Sequence, residues 1–85
     1  MNKNFMIGFV YEGYFFCANV HHFQHPSGTE YHITVLTTKS RSDIPSSIVL
    51  EDRDDGFLQV SRDPVPPVFL ETIISEIEKH NHKVH

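Results

Sequence analysis

The chain has 85 residues and a formal charge of −4 with its histidines neutral, and Cys17 is its only cysteine. A chain of this length is near the small end of what folds alone, so we expect residues 1–85 to form a single small domain. An acidic chain gains nothing from the release of phosphate counterions, which argues against nucleic acid as a partner. A lone cysteine excludes an internal disulfide, so stability must come from the core, a metal or a partner chain.

The start of the sequence lacks the pattern of an export signal. Lys3 precedes an apolar run, but Glu12 interrupts that run, and aromatic residues occupy positions where a cleavage site needs small ones. No stretch approaches the roughly 20 apolar residues of a membrane-spanning helix. We therefore expect a cytoplasmic protein that does not have a membrane as its partner.

Two turn signals predict a three-strand meander in the first part of the chain. Glu12-Gly13 predicts a two-residue turn that pairs Phe9 with Phe16. Pro26 cannot donate to a sheet ladder and marks the second turn, which we centre on Ser27-Gly28. One sheet face then carries only apolar side chains and is the predicted core face. Its members are Phe5, Ile7, Phe9, Phe16, Ala18, Val20, Tyr31, Ile33 and Val35.

A second hairpin is predicted in the following segment, and two registers compete for it. A two-residue turn at Asp55-Gly56 opposes Leu50 with Ser61. A three-residue loop at 54–56 opposes Leu50 with Val60 instead. We favour the three-residue loop because it gathers the apolar side chains of both strands on one face. These side chains are Ile48, Leu50, Leu58 and Val60.

The C-terminal part of the chain predicts one helix. Pro67 suits its first position because the missing N–H would be unpaired there in any case. Apolar residues then recur at helical spacing, and the pattern extends to about His80. We expect the stripe to cover the core face, which gives an α+β fold: an antiparallel sheet, made of the meander plus the second hairpin, packed on one C-terminal helix. The stripe consists of Leu70, Ile73, Ile74 and Ile77.

The outer face of the meander has an unusual composition, since a solvated sheet face normally carries mostly polar side chains. Here one region is apolar and the neighbouring region is polar. Two interpretations stay open: either the second hairpin folds over the apolar region, or that region is a self-association or ligand surface. The apolar region comprises Met6, Val10, Phe15, Cys17, Phe23 and Leu36, and the polar region comprises Asn19, His21, His32 and Thr34.

The seven histidines form two groups, one around the second turn and one at the end of the chain. His21 and His32 are expected to be diagonal neighbours on the outer face, within reach of a shared ligand. Neither a third ligand nor the Cys/His spacing of a zinc site is evident. The sequence therefore predicts no metal and no other cofactor.

Catalysis is not favoured by the remaining polar residues. Cys17 falls in mid-strand after two aromatic residues, where a cysteine is more often a small buried hydrophobic residue than a thiolate nucleophile. No serine-centred elbow, glycine-rich phosphate loop or His-Glu helix pair is present. The polar loop 39–43 could bind an anion, because Lys39 and Arg41 lie among several hydroxyl groups.

We therefore predict a non-enzymatic small domain that binds another protein chain through its outer sheet face, most simply as a homodimer. The alternative is a binder of a small ligand, an anion or a metal at the histidine-bearing hairpin and the 39–43 loop. No catalytic residue is assigned. The candidate binding residues are Phe15, Cys17, His21, His32, Leu36, Lys39 and Arg41.

Overall fold

The computed structural model describes residues 3–36, 43–53 and 56–82. The elements are β1 (Lys3–Tyr11), β2 (Tyr14–His25), β3 (Gly28–Val35), β4 (Ser47–Arg53), β5 (Gly56–Gln59) and α1 (Pro67–His82). Each strand pairs antiparallel with the next one in the chain, so the spatial order is β1-β2-β3-β4-β5. With α1 packed on one face of the sheet, this is the predicted α+β fold.

The first hairpin has the predicted register, with Phe9 opposite Phe16. Glu12 and Gly13 form its turn with φ values of 51° and 81°. Positive φ at both central positions is the feature of a type I′ turn, whose twist matches that of the flanking strands. The local turn signal is therefore sufficient to fix the pairing of β1 with β2.

The second hairpin turns one residue earlier than predicted. Its turn residues are Pro26-Ser27 rather than Ser27-Gly28, so Val20 lies opposite Ile33 and not, as predicted, opposite Val35. The physical reason is the proline ring, which presets φ for the first central position of a turn. A shift of two positions keeps every side chain on its predicted face, so the core face itself is confirmed.

The register of β4 and β5 differs from both predictions. Leu50 lies opposite Gln59, not opposite Ser61 or Val60. A shift of one residue from the favoured register moves a side chain to the other face of the sheet. Leu58 accordingly lies on the outer face with 45% of its surface exposed. The prediction that Leu58 and Val60 share the core face with Leu50 is wrong.

The observed register of this hairpin is favoured by an aromatic side chain. This register places Phe57 on the core face, where the centre of its ring lies 5.5 Å from that of Tyr31. A count of apolar residues per face favours the two aliphatic side chains of the other register and does not weigh this aromatic contact. Arg53 and Gly56 are an opposed pair, which excludes the three-residue loop predicted at 54–56. Residues 54 and 55 themselves lie outside the described part of the chain.

The second hairpin extends the sheet and does not fold over its outer face. β4 lies beside β3, with Ile33 opposite Ile48 and Tyr31 opposite Leu50. All five strands therefore share one core face and one outer face. The interpretation in which this hairpin covers the apolar region of the outer face is wrong.

The helix begins at Pro67, as predicted, and the Leu70 N–H donates to the Pro66 carbonyl over 3.0 Å. Its stripe packs on the core face, with Ile73 and Ile77 fully buried. The buried stripe also includes Phe69, which the helical pattern had not singled out. No helix in the described part of the chain combines the length and apolar character needed to cross a lipid bilayer.

The core lies between the sheet and α1 and is wholly apolar among the described residues. Aromatic contacts dominate one end of it. The Phe69 ring centre lies 5.4, 5.0 and 5.3 Å from those of Phe9, Tyr11 and Phe16. The buried residues are Ile7, Phe9, Phe16, Ala18, Val20, Tyr31, Ile33, Ile48, Leu50, Phe69, Ile73 and Ile77.

Candidate functional site

Four large apolar side chains are exposed on the outer face, at the end of the sheet near the first turn. Val10 and Phe15 lie opposite each other on β1 and β2 and are 66% and 67% exposed. Met6 and Leu36 are 55% and 46% exposed. We refer to these four residues, Met6, Val10, Phe15 and Leu36, as the apolar patch.

Two further residues lie between the members of the apolar patch. Cys17 is partly buried and lies opposite Gly8 on β1. The Leu36 N–H donates to the Cys17 carbonyl over 2.8 Å, which brings β3 alongside. The predicted site residues Phe15, Cys17 and Leu36 are therefore brought together on one part of the outer face.

The apolar patch adjoins the edge of β1, where Glu76, Lys79 and His80 of α1 lie beside Met6 and Gly8. The two-residue turn makes Tyr11 and Tyr14 a hydrogen-bonded pair, so alternate residues of β1 direct their N–H and C=O groups toward β2. The residues in between direct theirs away from β2. β1 is nine residues long, contains no proline and pairs with β2 without a bulge. A helix and charged side chains beside an edge strand hinder its pairing with a further strand. The outward-directed residues are Asn4, Met6, Gly8 and Val10.

A separate cluster of rings occupies the other end of the outer face. His21 and His32 lie directly opposite each other, not diagonally as predicted. The Phe23 ring stacks on His21 at 4.1 Å and meets His32 edge-on at 4.6 Å. His32 Nε2 lies 3.1 Å from Glu30 Oε1, so that nitrogen already has a carboxylate partner. This packing accounts for the two histidines as parts of a ring cluster.

The predicted site is thus divided into two parts. Met6, Asn19 and Thr34 share one row in the middle of the outer face, and Asn19 and Thr34 lie between the ring cluster and the rest of the apolar patch. The remaining predicted binders, Lys39 and Arg41, lie outside the described residues. Among the residues that are described, no group of three side chains of the kinds that bind metal comes together.

A cleft that the sequence did not indicate opens on the opposite side of the sheet, at the periphery of the core face. It has a volume of about 180 Å³. Lys3 and His22 lie opposite each other on β1 and β2, and α1 supplies two more of its walls. The lining residues are Lys3, Phe5, His22, His80 and Asn81.

Aromatic rings fix the polar groups of this cleft. The His80 ring stacks on Phe5 with centres 3.8 Å apart and planes 3° apart. The His22 ring stacks on Tyr31 at 4.8 Å and 7°. Asn81 Nδ2 donates to the Tyr31 hydroxyl over 3.2 Å. The imidazoles are therefore held in defined orientations. Such ordered groups are typical of a ligand-binding site rather than of a solvated surface.

Among the described side chains that line the cleft, Lys3 is the one with a permanent charge. Burial and, after it, the charge of Lys3 hold the pKa of His22 below its ordinary value, while the carboxylate of Asp52 acts in the opposite direction. Sequence reasoning missed this arrangement because it joins two strands to the distant end of a helix. The one available signal in the sequence was the alternation of side chains along β2, which places His22 on the core face and His21 on the outer face.

No protein-family model, no curated protein and no solved structure matches this chain. The candidate sites rest on the geometry of the chain itself.

Proposed function

We propose that this chain is a protein-interaction domain whose outer sheet face binds a second copy of the same chain. The observation that carries the proposal is the apolar patch, in which each of the four side chains is 46% to 67% exposed. Contiguous exposed apolar residues bordered by polar ones are typical of interaction surfaces. The border here is formed by Asn19 and Thr34, which share a row of the sheet with Met6.

A second copy is the partner that the rest of the molecule favours. The domain is small and lacks an internal disulfide, so it gains stability from association. Two copies related by a two-fold axis can place their outer faces together, which brings the apolar patch of one copy against that of the other. The one cysteine fits a reducing compartment, and we place the dimer in the cytoplasm.

Charge does not oppose contact at this surface. Each chain carries a formal charge of −4, which would repel a second copy at long range. None of the four side chains of the apolar patch is charged, however, and the repulsion between distant surface charges is screened within roughly 8 Å at physiological salt. We therefore expect association to strengthen with salt concentration rather than weaken.

Sedimentation equilibrium over a wide concentration range tests the proposal. The parent chain is expected to rise from its monomer mass of 9.8 kDa toward twice that value. Phe15→Asp places a carboxylate in the apolar patch and is expected to weaken association by at least about tenfold, because the charge must be desolvated in the contact. The fold should be retained, since Phe15 is mostly exposed.

Val68→Asp is the matched control. Val68 is 62% exposed and lies in the first turn of α1, on the other side of the sheet. The same change of side chain there should leave the association unchanged. A parent mass that stays at the monomer value at all concentrations contradicts the proposal, and equal weakening by both variants means that charge, not the apolar patch, governs association. Unfolding by Phe15→Asp alone would make Phe15 a core residue.

A further inference from the structure

We propose that the cleft between β1, β2 and the C-terminal end of α1 binds a small phosphate-type oxyanion through Lys3, His22 and His80. This site lies on the opposite side of the sheet from the apolar patch. The proposed anion site is therefore independent of the proposed dimer.

Two side chains that can carry a positive charge lie next to each other on adjacent strands of the cleft. Lys3 and His22 are an opposed pair, and both project to the core side of the sheet. Side chains of such a pair are neighbours at about 4.5–5.5 Å between their Cβ atoms. The charge of Lys3 also contributes to the lowered pKa of His22. An anion between them replaces this repulsion with two attractive contacts.

The two imidazole donors of the cleft are held in place before any ligand arrives. Stacking on Phe5 and on Tyr31 fixes the imidazoles of His80 and His22. Rings that are already ordered lose little conformational freedom when they bind, which is how preorganisation raises affinity. A cleft of about 180 Å³ also has room for an anion of the size of phosphate.

The charges that face the cleft favour an anion as its ligand. Its described lining contains no carboxylate, although the chain as a whole is acidic. The opposing charge is that of Asp52 on β4, whose effect on His22 is smaller than that of Lys3. Donors from three elements suit a multiply charged tetrahedral anion better than a planar, singly charged carboxylate. The groups that bear on His22 are Lys3 and the chain amino terminus, Tyr31, Asp52 and His80.

Proton linkage couples the pKa of His22 to the affinity of the site for an anion. An anion binds more tightly to the protonated imidazole, so bound phosphate must raise the pKa of His22. Phosphate loses one of its two charges between pH 7.5 and 5.5, but inorganic sulfate keeps both, so by the same linkage the affinity for sulfate must increase as the pH falls over this range. Screening by salt alone does not raise the pKa of His22 or the anion affinity in a saturable manner.

Histidine ring resonances followed by NMR test the inference during titrations with inorganic phosphate and with inorganic sulfate, which stays doubly charged, at constant ionic strength and pH 6. We expect a saturable shift at His22 and His80 and a raised pKa of His22 relative to chloride. His21 and His32, on the outer face, are internal controls and should not respond. Acetate at the same ionic strength should give no saturable shift.

Lys3→Gln removes one cationic contact and is expected to weaken phosphate binding about tenfold. Its matched control is Arg62→Gln, which makes the same change in net charge beyond β5, at the other edge of the sheet. Lys3 is exposed, so the fold should persist, and the amide spectrum verifies this. If Lys3→Gln is nonetheless unfolded, His80→Gln replaces it with the same expected loss.

Three results would overturn the inference. Linear or equal shifts at all histidines would mean screening alone, and equal loss of binding in Lys3→Gln and Arg62→Gln would mean a nonspecific charge effect. Saturation by acetate at the same concentration as phosphate would remove the assignment to phosphate-type anions. The titration is repeated on Phe15→Asp, where an unchanged result separates this site from the proposed dimer.

Discussion

The Phe15 ring lies across Gly8 of the neighbouring strand. A Cβ atom at Gly8 would fall 2.8 Å from Phe15 Cζ and 3.3 Å from its Cε1 atom. Glycine in a strand interior often marks such a close approach, and an aromatic ring laid over it shields the bare backbone. The apolar patch therefore depends on the absence of a side chain at Gly8 as well as on the presence of its four exposed ones.

Gly8→Ala is expected to displace the Phe15 ring and weaken self-association while leaving the free energy of unfolding within about 1 kcal/mol of the parent. The new methyl group meets the far end of an exposed side chain, which can move. Urea denaturation and sedimentation equilibrium measure the two effects. Gly13→Ala is the contrasting variant, since φ +81° at that turn makes a side chain strained and should cost more. A loss above about 2 kcal/mol for Gly8→Ala would show that the ring cannot move.

Phe69→Ala should unfold most of the chain at 25 °C. Phe69 is fully buried and contacts three aromatic rings of the sheet, so its truncation is expected to cost about 3–5 kcal/mol. A domain of this size has a net stability of the same order, roughly 3–5 kcal/mol. Circular dichroism with urea denaturation measures the loss. Val68→Ala, at the exposed neighbouring position, should stay within about 0.5 kcal/mol of the parent, and similar losses in both variants would contradict this account of the core.

Glu12→Asn should stabilise the fold by up to about 1 kcal/mol. Glu12 has φ 51°, a left-handed conformation that glutamate tolerates poorly and asparagine tolerates well. Asn-Gly is the preferred pair for a type I′ turn. Glu12→Gln removes the charge but keeps the strain, so thermal unfolding of the two variants separates these effects. Equal melting temperatures for both variants would mean that backbone strain is not the cause.

The stability of the fold should depend on pH through His22. Burial and the charge of Lys3 hold its folded-state pKa below the ordinary value of 6.5, against the weaker effect of Asp52. The unfolded chain therefore binds more protons between the folded-state pKa and 6.5. The contribution of His22 is fully present above pH 6.5 and is lost as the pH falls through that window.

Urea denaturation between pH 7.5 and 5 in a buffer without phosphate measures this dependence. His22→Gln should flatten the rise of unfolding free energy with pH, because the titrating group is gone. His21→Gln, one residue away but on the opposite face of the sheet, is the control and should keep the slope. A slope that His22→Gln leaves intact would assign the dependence to other groups.

The parts of the fold that were predicted correctly depend on local signals. Glu12-Gly13 fixes the first register because the turn allows one pairing, and Pro67 marks the helix start because of its missing N–H. Alternation along β1 to β3 placed the apolar patch on the outer face before its exposure was known. The register of Leu50 with Gln59 could not be predicted in this way, since it depends on the contact of Phe57 with a ring on another strand.

The cleft shows where sequence reasoning reaches its limit. His80 and His22 are far apart in the chain, and each alone is an ordinary partly exposed histidine. They come together because α1 runs back along β1 and brings its C-terminal end to the start of that strand, as the stack of His80 on Phe5 shows. Only the docking of the helix creates the site, and no spacing along the chain encodes it.

The sequential strand order has a consequence for how the chain folds. Consecutive strands pair with each other, so the sheet can form step by step at a small entropic cost of loop closure. The contacts of α1 are the exception, since Asn81 reaches a tyrosine 50 residues earlier in the chain. We expect helix docking to be the last step. Until it occurs, the nascent meander presents its whole apolar core face to water, and aggregation is most probable in that interval.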